Sequence, residues 1–285
     1  MRRLLRKTLL LAAGALFSCA VAAQNLPRLE LLRPIYVIGG VPLSEKPTID
    51  NYELSIQIST ALVLFDNFAN TGFQFLMGYT QLSIWDFWAY SHPFYEYSFM
   101  PALYFRKHWD VDSGRKAVDF GYEHRSNGRA DPLSRSINYL FLCYFREYKN
   151  GFGWKANLRP GFGVYGDTFT VDMPLRYTGF FDMGLYYEPE SNPWSFHLDV
   201  TPIYNKSIAN VTAGVAYTIL KGKPDLDAYL QFHYGYDDAL RDCINEHGQI
   251  LTPEGRSPYV PGEPLPPRSY IRFGLRLNIR HQYIP

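Results

Sequence analysis

Three side chains in one short stretch could do chemistry together. The segment 123–139 reads EHRSNGRADPLSRSINY and carries His124, Ser126 and Asn138. On a β-strand, residues two apart point to the same side. An imidazole at position 124 could therefore take the proton of the Ser126 hydroxyl and make it a nucleophile. Asn138, at the start of a returning strand, could accept the other ring N–H through its side-chain carbonyl and fix the tautomer. That would be a Ser-His-Asn triad. The competing reading is a polar β-hairpin, because Asn127-Gly128 and Asp131-Pro132 are good turn pairs. No G-x-S-x-G elbow occurs in the chain, so an α/β-hydrolase is not the source of the serine.

The elements that would position these residues read as strands. In Ile271-Arg272-Phe273-Gly274-Leu275-Arg276-Leu277-Asn278-Ile279-Arg280 the odd positions are apolar and the even ones are polar or Gly. One face of such a strand is apolar and the other carries three arginines. Similar alternation runs through 53–65, and further strands are expected near 72–88, 96–109, 115–126, 136–148, 152–165, 172–188, 193–204, 207–219 and 225–237. A twelfth is weaker, at Arg33–Ile38. Bacterial single-chain barrels use even strand counts, which favours including it. Strands of about ten residues cross a bilayer when tilted. The polar stretch 238–268, rich in Pro and Gly, has the profile of an external loop.

Composition agrees with a membrane barrel. The chain has 285 residues, 23 Tyr, 20 Phe and 5 Trp, and aromatics make up 17 % of it. That is high for a soluble domain. Several bunch at strand ends: Trp85, Phe87, Trp88 and Tyr90, then Tyr186 and Tyr187, then Phe232, Tyr234 and Tyr236. Interfacial girdles have that form. After the amino terminus no run of 18 apolar residues exists, which excludes a transmembrane helix. A net charge of +1 points to no nucleic-acid partner. Residues 1–23 read as a cleaved export signal: a basic start, MRRLLRK, then an apolar run ending in small residues. A lipoprotein alternative would use Cys19, but Phe17 fits a lipobox poorly. Residues 24–285 are then one domain, an antiparallel transmembrane β-barrel of about twelve strands. Cys143 and Cys243 do not make a disulfide scaffold. A soluble secreted β-protein is the alternative.

Strand parity places the candidate triad. Val118, Phe120, Tyr122, His124 and Ser126 share one face, and Asp119, Gly121, Glu123 and Arg125 share the other. If the apolar face meets lipid, His124 and Ser126 are on the barrel exterior. A bare His and Ser in hydrocarbon would be costly. Near the rim they would meet ester and head groups, a sensible place for a lipid-cleaving pair. Arg272, Arg276 and Arg280 are expected in the lumen, paired with acids such as Asp119 and Glu123. His108, His197, His233, His247 and His281 show no paired ligand spacing, and Asp237-Asp238 reads as a solvated loop.

Two blocks resemble a known family. His124-Arg125-Ser126-Asn127-Gly128-Arg129, Asp131-Pro132, Ser134-Arg135-Ser136 and Asn138 form the first. Tyr79-Thr80-Gln81, Ser83-x-Trp85, Ser91-His92-Pro93-Phe94-x-Glu96 and Pro101 form the second. Both are similar to the signature of the outer membrane phospholipase A family. The resemblance implies a twelve-stranded barrel in the bacterial outer membrane that hydrolyses sn-1 and sn-2 acyl esters of phospholipids and lysophospholipids. It implies Ser126 as nucleophile, His124 as general base and acid, and Asn138 as orienter. It further implies calcium, held by the Arg129 carbonyl, Ser134, Ser91 from a second subunit, and an acid that is Asp167 or Asp172, with Asp167 ahead. Activation by homodimer formation is implied too, with Gln81 at the interface. Ile137, Tyr139 and His92 depart from the family pattern. A catalytically silent barrel, serving as a channel or structural protein, is the rival function.

Overall fold

The computed structural model describes residues 28–44, 46–88, 91–92, 94–128, 136–165, 179–203, 209–222, 224–235 and 267–278. Residues 1–23, expected to be an export signal and including Cys19, and the stretch 238–266, with Cys243 and His247, lie outside them. So do Arg280 and His281. The strands are β1 (Leu29–Glu30), β2 (Ile35–Pro42), β3 (Glu53–Phe68), β4 (Phe73–Trp85), β5 (Phe94–Val111), β6 (Gly114–Ser126) and β7 (Ser136–Tyr148). They continue as β8 (Phe152–Leu158), β9 (Gly161–Tyr165), β10 (Phe181–Tyr187), β11 (Trp194–Pro202), β12 (Ala209–Leu220), β13 (Asp225–Gly235) and β14 (Arg268–Asn278).

The described residues form a closed ring of twelve antiparallel strands. Its order is β3-β2-β14-β13-β12-β11-β10-β8-β7-β6-β5-β4, and pairing of β3 with β4 closes it. The two faces are inverted relative to a soluble protein. On β14, Phe273 points outward at 62 % exposure, whereas Arg272 points inward at 1 %. On β6, Phe120 and Tyr122 face out while Asp119, Glu123 and Arg125 are buried inside. A soluble sandwich would turn the arginines to water. A polar interior within an apolar band is the pattern of a transmembrane barrel.

The interior is tied by ion pairs, with partners different from those expected for the arginines of β14. Arg276 pairs with Asp227 at 2.7 Å, directly across the β13–β14 ladder. Arg272 reaches Glu53 at 2.6 Å, over the bare Gly40 that lies between them in the sheet. Asp119 is taken by Arg106, its cross-strand partner, through two hydrogen bonds of 2.9 and 2.7 Å. Glu123 is taken by Arg33 at 2.6 Å. Residues opposite each other on neighbouring strands sit about 5 Å apart, so nearby carboxylates outcompete those across the lumen. Lys155 and Asp199 pair at 2.9 Å beside a lumenal cavity of about 320 Å³ that strands around the ring line, with Tyr36, Gln57, Glu123 and Arg276 among its residues.

Two expected strands differ from their expected course. The first, expected at Arg33–Ile38, runs instead as β2 over Ile35–Pro42, and a short β1 precedes it across an inward bend at 31–34. Leu32 is buried there among Ala61, Val63, Leu76, Ala102 and Tyr104. Gly78 makes the room, because a Cβ on it would lie 2.7 Å from Leu32 Cδ2. The second, 152–165, is broken at Arg159-Pro160, where proline has no N–H for a ladder. β8 bridges β7 and β10, while β9 stays on β7 beside Asn138. The strand expected at 172–188 is seen from Phe181; 172–178 lie outside the described residues.

Replacing Asp119 by Ala should leave the buried Arg106 guanidinium with Glu30, 3.2 Å away, as its remaining carboxylate. Loss of one partner of a buried pair costs about 3–5 kcal/mol. Denaturant unfolding of the refolded barrel in detergent should show a loss at the low end of that range, and Asp110→Ala, exposed on the same hairpin, should show almost none.

Candidate active site

Strand pairing sorts the connections onto two rims. The turns 69–72, 112–113, 149–151, 188–193 and 221–224 lie at one rim. The strand ends at Pro42, Trp85, Ser126, Leu158, Pro202 and Gly235, which the mostly longer connections follow in sequence, lie at the other. Outer-membrane barrels keep short turns on the periplasmic side and long loops outside. β6 ends and β7 begins at the long-loop rim, so His124, Ser126 and Asn138 sit at its edge.

The β6–β7 ladder sets His124 directly opposite Asn138 and Ser126 opposite Ser136. All four share the outward parity of Phe120 and Tyr122. His124 Nδ1 lies 2.8 Å from Asn138 Oδ1. An amide oxygen only accepts, so Nδ1 carries the proton and Nε2 keeps its lone pair. Asn138 Oδ1 also accepts from the Tyr122 hydroxyl at 2.5 Å, and its Nδ2 donates to the Phe162 carbonyl at 3.4 Å. Phe162 is on β9, so the break at Pro160 is what brings this carbonyl to the site. Ser126 stands two residues along β6, a rise of about 6.6 Å. On its other side the ladder places Phe99 of β5.

Phe99 begins a row of rings that climbs to the rim. Tyr97 stacks on it at 5.9 Å, Phe94 on Tyr97 at 5.4 Å, and Trp85 on Phe94 at 4.8 Å. Gly128 lies under the Phe99 ring with a φ of 63°, where an added Cβ would be 2.7 Å from the ring. This aromatic wall beside Ser126 escaped sequence reading, as did Tyr122 and Phe162. Tyr97 and Phe99 have the outward parity of β5. Their nearness to Ser126, however, follows from the β5–β6 register, which no local pattern encodes.

The remaining predicted residues fall in several places. Ser91 is exposed in the β4–β5 connection with a φ of 67°, and His92 follows at 45°, both left-handed. Trp85 Nε1 donates to the His92 carbonyl at 2.8 Å, and the His92 ring bonds to the Phe87 carbonyl, so this histidine ties the turn together. Arg129, Ser134, Asp167 and Asp172 lie outside the described residues. Among the described residues, no group of three or more His, Cys, Asp or Glu could hold a metal. Oxygen donors at the rim suit a hard cation; Ser91 is the described one. Gln81 faces outward on β4, accepting from Tyr79 at 2.9 Å and donating to Ser83 at 3.1 Å. Ile137 and Tyr139 flank Asn138 in sequence but point into the lumen, where both are fully buried. Their departure from the family pattern is therefore on the opposite face from His124. Cys143 is a buried free thiol in β7.

Comparison with known proteins agrees with the barrel fold. A family profile described as phospholipase A1 matches residues 40–251. The phospholipase A1 of Proteus vulgaris is 29 % identical over 195 residues, covering 67 % of this chain and 64 % of that protein. That of Escherichia coli strain K12 is 28 % identical over the same coverage. The match thus spans a little under two thirds of these relatives. Among solved structures, outer membrane phospholipase A from Escherichia coli superposes with a TM-score of 0.66 at 22 % identity, over 88 % of this chain and 94 % of that one. A Salmonella typhi outer membrane phospholipase, described as a dimer with bound calcium, gives 0.69 at 20 % identity over 90 % and 94 %. At those identities the superpositions speak for the fold. The profile covers well over half of the sequence, and by it this chain belongs to the phospholipase A1 family.

Proposed function

We propose that this chain is an outer-membrane phospholipase that cleaves sn-1 and sn-2 acyl esters of phospholipids and lysophospholipids. The observation that carries the reading is the His124–Asn138 pair, on the lipid-facing side of the barrel and two residues from Ser126. A soluble esterase would hide such a site in a pocket. Here the substrate comes to the barrel wall, with its ester groups at the depth of the site and its acyl chains along the apolar exterior.

The chemistry follows from the atoms. Ser126 Oγ adds to the acyl carbonyl carbon while His124 Nε2 takes its proton. When the tetrahedral intermediate collapses, the carbon–oxygen bond to glycerol breaks and the imidazolium returns the proton to the leaving oxygen. Water then repeats both steps, freeing the fatty acid and restoring Ser126. Asn138 stays neutral; its Oδ1 holds the Nδ1–H throughout and stabilises the imidazolium by hydrogen bonding. The wall from Phe99 to Trp85 gives an acyl chain a surface to lie against.

The family resemblance adds calcium and a second copy. The donors would be the Arg129 carbonyl, Ser134 and Asp167, with Ser91 supplied by the other subunit. Bound there, the ion contributes positive charge toward the developing oxyanion. Gln81 supports the dimer. An amide facing hydrocarbon is costly, and the bonds to Tyr79 and Ser83 leave it capacity for a twin across a two-fold axis.

Release of fatty acid from mixed phospholipid micelles tests the enzyme reading. Ser126→Ala should lower the rate by at least about a thousandfold in a barrel that still migrates as folded, and a chelator should abolish wild-type activity until calcium is restored. A wild-type rate from Ser126→Ala would overturn Ser126 as the nucleophile, whereas conductance in a planar bilayer from a folded, dimeric and inactive protein would favour the silent barrel. Gln81→Leu should weaken the dimer without unfolding the barrel. Cross-linking in detergent with calcium and a substrate analogue reads this out, and an unchanged dimer fraction would remove Gln81 from the interface.

A further inference from the structure

The two ends of the Asn138 side chain are nearly the same size and opposite in hydrogen bonding. Turned one way, its oxygen faces His124. Turned the other, its NH₂ does. In the second arrangement Nδ1 must accept, the ring proton moves to Nε2, and the nitrogen toward Ser126 can no longer take a proton. A carboxylate in this place would have no such ambiguity. An asparagine needs something to select its orientation.

Two neighbouring groups do so. The carbonyl of Phe162 can only accept, and it sits 3.4 Å from Nδ2. The hydroxyl of Tyr122 sits 2.5 Å from Oδ1. A phenol is a better donor than acceptor, because the ring withdraws its lone pair. It therefore favours an oxygen over an NH₂ as its neighbour. Tyr122 also behaves unlike a girdle tyrosine, whose hydroxyl points to the membrane–water interface. Its ring is 37 % exposed on the lipid side, yet its hydroxyl turns sideways across the ladder to β7, and its ring meets Phe162 at 6.3 Å.

We infer that Tyr122 is a positioning residue which, together with the Phe162 carbonyl, holds the Asn138 amide with its oxygen toward His124 and so keeps His124 in the tautomer competent to activate Ser126. This rests on the proposed triad. Tyr122 touches neither substrate nor nucleophile in this role. It acts through Asn138, and the site works as a chain of four side chains rather than three.

Tyr122→Phe tests it. The substitution removes one oxygen from a lipid-facing ring and leaves the barrel intact. In mixed micelles, kcat should fall about five- to tenfold, the effect of one hydrogen bond, with KM unchanged. The ¹⁵N spectrum of the His124 imidazole, identified by its loss in His124→Gln, should change from the Nδ1–H tautomer alone to a mixture with Nε2–H. A kcat within about twofold of wild type overturns the inference. So does a fall in kcat with the tautomer unchanged, which would mean that Tyr122 merely packs. If the wild-type protein is inactive or Ser126→Ala is active, the triad fails. The tautomer comparison still decides whether Tyr122 orients Asn138.

Discussion

In hydrocarbon no water is available to a backbone N–H or carbonyl. Every such group must be paired within the protein, and for strands that is possible only in a ring without edges. The rest of this structure depends on that requirement. Closure makes the wall of the barrel the only surface that meets lipid. It also seals the charged residues inside, where Arg106, Arg272 and Arg276 are each bound to a carboxylate on an adjacent or nearby strand. The outer surface is then free to be apolar nearly everywhere. Among the polar side chains on it, His124, Ser126, Asn138 and the Tyr79–Gln81–Ser83 row stand out against that background and underlie the proposed chemistry and assembly.

A second consequence is rigidity at the site. The face that carries the proposed triad lies at the rim end of β6, yet β6 is flanked there by β5 on one side and β7 on the other. β7 in turn is paired at the level of Asn138 by β9. Side chains in such a position have few ways to move. That suits a catalytic arrangement whose parts must hold to within a fraction of an ångström.

Much of this was legible in the sequence, for reasons that can be named. The period-two pattern of 271–280 separated the two faces before any fold was known, and the same parity put His124 and Ser126 outside. Asn138 was legible because a hairpin brings it back beside His124. What was not legible depended on register. The partners of Arg272 and Arg276 were expected among acids such as Asp119 and Glu123. The ladder instead supplied Asp227 and Glu53, because proximity across strands decides the pairing. The break at Pro160 was readable as a proline, yet its effect of leaving β9 on β7 required the pairing itself. Tyr122, Phe99 and Phe162 looked like ordinary lipid-facing aromatics. Only their neighbours distinguish them. Arg129, Ser134 and Asp167 came from resemblance alone.

The inward bend at 31–34 bears on how the barrel comes together. β2, just after it, forms the seam with β14 and joins the two ends of the chain. The bend also carries Leu32 into the apolar cluster and Arg33 to Glu123, a residue ninety positions away and next to His124. The same short stretch thus both fills the lumen and precedes the last seam. Contacts of such long sequence separation form late, because the chain must first be gathered. The reverse face of β6 gains this contact only in that late step, so a half-assembled barrel lacks the support beneath His124.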